Sequence, residues 1–397
     1  MEYLSDRIKS LSVSQTLAMA QKSRELKARG IDIISLSLGE PDFNTPDYIK
    51  EAAKKAIDDN YSKYPPVPGY QDLREAISEK FRRENGINYT PDQIIVSAGG
   101  KHSLANVMMS IVNPGDEVII LAPYWVSYYD QVILAGGKPV VIEANVDTEF
   151  KVSAGQIEAA ITPRTRLILF NSPSNPTGMV YSREEIESIA RVVAKHEGVF
   201  IISDEIYEHI IFEGEHVSMA SFDFVYDRVI TVNGVSKGYA MTGWRIGYIG
   251  APLWITKACN KLQGQFTSGV CSIAQRAALA ALGGDGESQR IMREAFLRRR
   301  NIICGLLKDV EGLKVNVPQG AFYVMPDVTY YLGRSDDDIK IITSDDLALY
   351  LLDKARVATV GGNAFGAPGC MRISYATSDD LIVEAVGRIK TALKNLS

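Results

Sequence analysis

The sequence is poor in the two side chains that carry most metal and thiol chemistry. It holds four histidines (His102, His196, His209 and His216) and four cysteines (Cys259, Cys271, Cys304 and Cys370) in 397 residues. No Cys-x-x-Cys or His-Glu-x-x-His spacing organises them, so no metal site is expected. The scattered cysteines read as reduced core thiols, the state expected in the cytoplasm. Positive charge is not in excess either. Lys+Arg 43 against Asp+Glu 48 leaves a formal net charge of −5, which argues against a dedicated nucleic-acid binder. No run of about 18 apolar residues occurs, so no membrane span is expected. The opening Met1-Glu2-Tyr3-Leu4-Ser5-Asp6 has neither the basic nor the apolar part of a secretory signal, so the expected location is cytoplasmic. Asn88-Tyr89-Thr90 is then a chance glycosylation sequon. Also missing are a Gly-x-x-x-x-Gly-Lys-Ser/Thr loop and a Gly-x-Gly-x-x-Gly after a strand, the usual nucleotide fingerprints.

What is present is ordinary globular material: 46% hydrophobic and 23% charged residues, in a chain long enough for two or three domains at about 150 residues each. Short apolar runs at 94–98, 118–122, 140–142, 167–170, 199–202 and 229–232 alternate with helical patterns. Continuously apolar runs suit strands buried on both faces. Between two of them, 183–197 puts Ile186, Ile189, Ala190 and Val193 on one helical face, and Ser182 with Glu185 supplies a capping box. Strict alternation predicts an α/β fold with a mostly parallel sheet covered by helices. After about residue 285 the texture changes to a long charged helix (287–310), apolar runs at 313–317 and 321–325, a helix over 344–355, a run at 371–375 and a last helix from Asp379. This predicts a smaller α+β unit. The first forty residues hold one helix, too little for a domain, and are expected to join that unit. The run Arg298-Arg299-Arg300 reads as a solvated helix face.

Several motifs compete for the chemistry. Gly234-Val235-Ser236-Lys237-Gly238 fits the nucleophile elbow of serine hydrolases, but that arrangement needs a histidine after the serine, and all four histidines precede Ser236. His209 and His216, near Glu205, Glu208, Glu213 and Glu215, read as a polar loop after a buried strand. Lys237 follows an apolar strand among small neighbours. It is either an ordinary exposed lysine or one placed to approach a bound carbonyl and form a Schiff base. Ala98-Gly99-Gly100-Lys101 ends one strand and opens a helix (101–112), leaving backbone N–H groups to cradle a phosphate or simply making a tight turn. Ser203-Asp204-Glu205 and Asn171-Ser172-Pro173-Ser174-Asn175-Pro176-Thr177-Gly178 also follow strands. The carboxyl edge of an open α/β sheet is where such folds bind ligands.

Taken together these residues resemble the class I pyridoxal-phosphate-dependent aminotransferases of the aspartate aminotransferase fold. The lysine signature of that family is satisfied by Gly-Val-Ser-Lys-Gly-Tyr-Ala-Met-Thr-Gly-Trp-Arg-Ile-Gly over 234–247. The likeness extends to Ser37-Leu38-Gly39-Glu40-Pro41-Asp42-Phe43, 64–69, 171–178, 203–207 and 372–376. It implies an N-terminal arm and part of the small domain in 1–44, a large cofactor-binding domain in 45–285 and a small C-terminal domain in 286–397. It implies that Lys237 holds pyridoxal 5'-phosphate as a Schiff base and then moves a proton at the substrate's Cα. Asp204 would keep the pyridine nitrogen protonated, Asn175 and Tyr207 would hydrogen-bond the ring's 3-oxygen, and Trp125 would stack on the ring. Gly100, Lys101, Ser236 and Arg245 would hold the phosphate, and Tyr64 would reach the phosphate of a neighbouring subunit, making a homodimer with shared active sites. Arg372 and Gly39 would bind the substrate α-carboxylate.

Two departures stand out. Gly234 stands where many relatives have a phosphate-binding serine, and no motif matches the partner-subunit arginine that reads the distal carboxylate in the classical enzymes. The Gly-Gly-Lys and Tyr-Trp-Val-Ser-Tyr blocks are similar to the bacterial aspartate/prephenate branch, which implies that Lys101 faces the distal carboxylate. The expected reaction is transamination between a dicarboxylic amino acid, aspartate first, and a 2-oxo acid such as 2-oxoglutarate, with prephenate a second acceptor. The alternatives are an aromatic or broad-specificity aminotransferase, or a β-lyase.

Overall fold

The computed structural model describes residues 3–397. A short strand β1 (Ile34–Ser35) precedes the main sheet, which is built from β2 (Ile94–Ser97), β3 (Glu117–Ala122), β4 (Lys138–Glu143), β5 (Thr165–Asn171), β6 (Phe200–Asp204), β7 (Val229–Gly234) and β8 (Gly247–Gly250). Their spatial order is β2-β8-β7-β6-β5-β3-β4. All neighbours are parallel except at β8, which runs antiparallel to both β2 and β7. Five of the six apolar runs are buried on both faces as expected. The sixth is not: β4 lies at the sheet edge and half-exposes its residues, Val141 among them. The sequence reading missed β8 because two of its four residues are glycines. Both make room: a side chain at Gly247 would overlap the Gly100 amide, and one at Gly250 would overlap the Tyr89 ring.

Helices cover the sheet on both sides. On one, Ile119, Ile168 and Ile201 pack with Ile186, Ile189 and Val193 of the helix Arg183–Lys195, whose Ser182–Glu185 capping box forms as predicted. On the other, Ile120, Leu169 and Ile202 pack with Leu104, Val107 and Met108 of the helix Gly100–Ile111.

A separate apolar cluster gathers Phe296, Ile303 and Leu307 of the long helix Glu287–Lys308 with Ile382, Val386 and Ile389 of the final helix Asp379–Leu393. Its strands are short: β9 (Tyr323–Val324), the hairpin of β10 (Ser335–Asp336) and β11 (Ile339–Lys340), β12 (Val357–Ala358), β13 (Val360–Gly361) and β14 (Met371–Ser374). Here β13, β14 and β9 form one antiparallel sheet. The N-terminal segment joins this part of the chain through the parallel pairing of β1 with β12, and it holds two helices (Asp6–Lys9 and Gln15–Ala28) rather than one. The run at 313–317 forms no strand; only Lys314 bridges to Asp327.

Three expectations need correction. Arg298 is solvated, but Arg299 and Arg300 are buried: Arg299 makes a bidentate pair with Asp42 (2.7 and 2.8 Å) and Arg300 reaches Glu213 (2.7 Å). The long helix thus uses its arginines as ties to other segments. Cys259, Cys304 and Cys370 are core thiols, whereas Cys271 is exposed. The polar loop expected around His209 and His216 is only partly that: Glu213 and Glu215 are exposed, whereas Glu205 and Glu208 belong to a buried charge cluster. Lys80, 0% exposed, pairs with Glu208 and donates to Asn85 (2.7 Å), and Glu205 takes hydrogen bonds from Ser203 and Ser218 beside His216. Two groups of ligand-type atoms meet there, Glu84/Glu208/His209 and Glu205/Glu208/His216, and the Lys80 ammonium supplies positive charge to both. Among the described residues no helix is long and apolar enough to cross a membrane.

Candidate active site

Parallel strands end in register, and that alone brings several candidates together. Asn171 at the end of β5 sits beside Asp204 at the end of β6, and its amide donates to the Asp204 carbonyl (2.8 Å) while its own oxygen receives the Asn175 amide (2.8 Å). One strand further, β7 ends at Gly234 and delivers Ser236 and Lys237 to the same edge. Facing them across a cavity of about 420 Å³ are Arg372 from β14, Tyr323 from β9 and Gly39 from the segment after β1. The cavity is lined by Gly39, Gly100, Lys101, Trp125, Asn175, Asp204, Tyr207, Ser236, Lys237, Arg245 and Arg372. Every site residue expected from sequence is there except Tyr64, which stands 97% exposed on the surface outside it.

The charges in the cavity are set by burial. Asp204 is 6% exposed, and loss of water raises its carboxyl to about 6, against the Tyr128 hydroxyl and the Ile206 amide that favour the ion. It has no cationic partner in contact; Tyr128 donates at 2.7 Å and Ile206 at 3.3 Å. Lys237 is pushed down to about 8, first by burial and then by Arg245 and Arg372, with Glu40 and Asp204 opposing. Its ammonium donates to the Gly39 carbonyl (2.6 Å). Arg372, 2% exposed, donates to Asn175 Oδ1 (3.0 Å) and the Ser37 carbonyl (2.6 Å), is flanked by the Tyr323 and Phe365 rings, and keeps Nε without a protein partner.

The opposite end of the cavity is built for an anion. The helix Gly100–Ile111 starts there; the His102 and Ser103 amides donate to the Gly99 carbonyl, while those of Gly100 and Lys101 have no backbone acceptor among the described residues. Gly99 has φ +83°, and a side chain on it would overlap the Arg245 guanidinium. Arg245 is itself left-handed at φ 57°, a conformation costing a non-glycine residue about 1 kcal/mol. Its guanidinium is fixed by the Thr242 carbonyl (2.8 Å). Lys101 lies 5.0 Å over the Trp125 ring, and burial together with Arg245 lowers its pKa.

Sequence reasoning missed Tyr128 and Tyr323, which touch Asp204 and Tyr207 respectively. It also missed Glu40, which bonds Thr242, and Ser14, Thr16 and Leu17 of the N-terminal segment, all at the cavity wall. Tyr128 stands three residues after Trp125, but one aromatic in a mixed block gives no hydrogen-bonding signal. Gly234 needs no serine's space: a side chain there would meet the Ile246 carbonyl and Gly247.

A lysine of lowered pKa, a buried acid without a cation in contact and a helix N-terminus meet at the carboxyl edge of an α/β sheet, where enzymes of this class commonly place their chemistry. The profile of the family "aminotransferase class I and II" matches residues 31–389, and the chain belongs to that family. Among its relatives, the aspartate/prephenate aminotransferase of Cereibacter sphaeroides is 49% identical over the full length of both chains. The aspartate aminotransferase of Bacillus sp. YM-2 is 47% identical, covering 99% of this chain and 100% of the relative. The crystal structure of the Rhizobium meliloti aspartate aminotransferase superposes with a TM-score of 0.95 at 44% identity, over 99% of both chains. The Thermus thermophilus aspartate aminotransferase with maleate gives 0.92 at 42%, over 99% of this chain and 100% of that one.

Proposed function

We propose that this aminotransferase uses pyridoxal 5'-phosphate to move the amino group of aspartate to a 2-oxo acid such as 2-oxoglutarate, and that it works as a cytoplasmic homodimer. One observation carries the substrate class. Besides Lys237, the cavity is lined by three cations, Arg245, Lys101 and Arg372, and among the described residues none of the three makes an ion pair with a carboxylate. Arg372 is buried while Lys101 and Arg245 are solvent-exposed at the cavity wall, and together the three make a positive field that favours anionic groups in the cavity. A cofactor phosphate at Arg245 and the helix N-terminus accounts for one. The two carboxylates of a dicarboxylic amino acid account for the others, with the α-carboxylate on Arg372 as a fork and the distal one at Lys101. The names of the relatives point the same way.

The residues fit the cofactor on independent grounds. Asp204, buried without a cation, suits a protonated ring nitrogen, and the amides of Gly100 and Lys101 suit a phosphate. Pyridoxal phosphate, when bound, would supply an electron sink for the charge left at the substrate's Cα. Asp204 would hold a proton on the ring nitrogen, Asn175 and Tyr207 would hydrogen-bond the 3-oxygen, Trp125 would cover the ring and Ser236 would help hold the phosphate. Lys237, with its pKa near 8, is neutral often enough near physiological pH to take the proton from Cα. Gly39 offers its backbone to the α-carboxylate. We divide the chain into a cofactor-binding unit over 45–285 and a smaller unit made of 1–44 and 286–397; the two largest apolar clusters support this in the main, with Tyr207 and Ile210 joining the second and a small cluster of Phe150, Met179, Met325 and Phe365 bridging the units. Tyr64, exposed on a proline-flanked segment, would reach the cofactor phosphate of the partner in the dimer.

Lys101→Ala tests the substrate assignment. A lost charge-assisted contact should lower kcat/KM for aspartate and glutamate by about 10- to 100-fold and leave alanine nearly unaffected. Equal losses for all donors would remove Lys101 from substrate recognition.

A further inference from the structure

Tyr323 lies where Tyr207, Arg372 and Gly39 meet. It is fully buried in β9, yet it lines the cavity. Its hydroxyl is 2.7 Å from that of Tyr207. Its ring lies 4.7 Å under the Arg372 guanidinium, close enough for a cation–π contact. A side chain at Gly39 would overlap its hydroxyl, so the glycine whose carbonyl receives Lys237 is shaped around this residue. The register of β9 with β14 pairs Tyr323 with Ser374, two residues from Arg372, which fixes the ring against the guanidinium.

The hydroxyl pair poses a proton question. Each phenol carries one proton, and at 2.7 Å only one of the two can donate to the other. Among the described residues Tyr207 has no other hydrogen-bond partner for its hydroxyl. For Tyr207 to donate into the cavity, Tyr323 must donate to Tyr207. Burial raises both phenols, and the Arg372 charge opposes that rise in each. The Arg372 guanidinium lies 4.7 Å over the Tyr323 ring, which makes Tyr323 the better placed of the two to donate.

We propose that Tyr323 is a positioning residue that directs the Tyr207 hydroxyl proton into the cavity with its own hydroxyl and seats the Arg372 guanidinium with its ring. One side chain thereby aligns the group that binds the cofactor's 3-oxygen with the group that binds the substrate carboxylate. The inference rests on the cofactor assignment proposed above. It separates the two duties by atom: the hydroxyl serves the cofactor and the ring serves the substrate.

The test compares Tyr323→Phe with Tyr323→Leu in the cofactor-loaded enzyme. It reads the pH midpoint of the visible absorbance change and the dissociation constant of maleate, an unreactive dicarboxylate. Tyr323→Phe should raise the midpoint by about 0.5–1 pH unit, the worth of one neutral hydrogen bond, and leave maleate binding within about twofold. Tyr323→Leu should raise the midpoint similarly and weaken maleate by about 5- to 10-fold through loss of the ring. A second comparison uses Tyr207→Phe: adding Tyr323→Phe to it should move the midpoint no further, because the hydroxyl acts only through Tyr207. The double variant leaves no phenol unpartnered, so it serves even if the single one folds poorly. An unchanged midpoint in Tyr323→Phe, an additive double variant, or equal loss of maleate in the Phe and Leu variants would overturn the proposal. A wild-type enzyme with no visible band would overturn the cofactor assignment and this inference with it, an outcome distinct from the other three.

Discussion

Asp204 is held in a place that a carboxylate does not favour. It is 6% exposed, takes hydrogen bonds from Tyr128 and Ile206, and faces no cation in contact. Its pKa rises from 3.8 to about 6, chiefly through burial. A group whose pKa is raised on folding binds its proton more tightly in the folded state, so its contribution favours folding below about pH 4 and is lost as pH rises through about 6. At pH 7 the apoprotein carries the full penalty, about two pH units, or as much as ~3 kcal/mol. Asp204→Asn should therefore stabilise the cofactor-free protein at pH 7 by roughly 1–3 kcal/mol, change it little at pH 4, and abolish transamination. Denaturant titrations at the two pH values check this, and a destabilised variant at pH 7 would contradict it. Lys237 and Asp204 stand out in the sequence as polar residues at the ends of apolar strands, whereas Arg372 is reached only through the family resemblance. Tyr128 and Tyr323 do not stand out, because a tyrosine that packs its ring and uses its hydroxyl leaves the same pattern as one that only packs.

At the scale of elements, the site depends on how a few segments are tied. The end of β6 and the turn after it carry Asp204 and Tyr207, and beneath them lies the charge cluster of Lys80, Asn85, Glu205, Glu208, His216 and Ser218. Lys80 ends the helix Gln71–Lys80, so the cluster fastens that helix beneath the catalytic edge. Burial alone would raise Glu208, but Lys80, His209 and His216 together hold it well below the usual carboxylate range. Lys80→Ala should cost about 3–5 kcal/mol, because it strands a buried carboxylate, and Lys80→Met with Glu208→Leu should recover most of that. Thermal melting of the two variants measures it; a Lys80→Ala protein as stable as wild type would sink the assignment. From sequence these acids read as a polar loop, without their buried partner, because Lys80 and Glu208 are 128 residues apart. A pattern read over neighbouring residues cannot show that they meet. The same limit hid the pairing of Arg299 with Asp42, whereas the helix Arg183–Lys195 was readable to within two residues because its cap and apolar face are local.

For the whole molecule, the chain brings a parallel sheet edge against a small sheet and an N-terminal segment. The cavity between them collects Lys237 and Asp204 from one side and Arg372 and Gly39 from the other. Neither side has a complete set of binding groups. The alternation of strands and helices made the large sheet legible, and the resemblance of ordered blocks carried the function. Composition alone carried neither, although the scarcity of histidine and cysteine had already left lysine as the main candidate. The central claim is that the three unpaired cations make this a dicarboxylate-selective aminotransferase. Its most direct test mixes the cofactor-loaded enzyme with single amino donors and follows the visible absorbance through one turnover. Aspartate and glutamate should discharge the absorbance about 10- to 100-fold faster than alanine or phenylalanine at equal concentration. If aspartate and glutamate leave the spectrum unchanged while aromatic or sulfur-containing donors convert it, the substrate assignment is wrong.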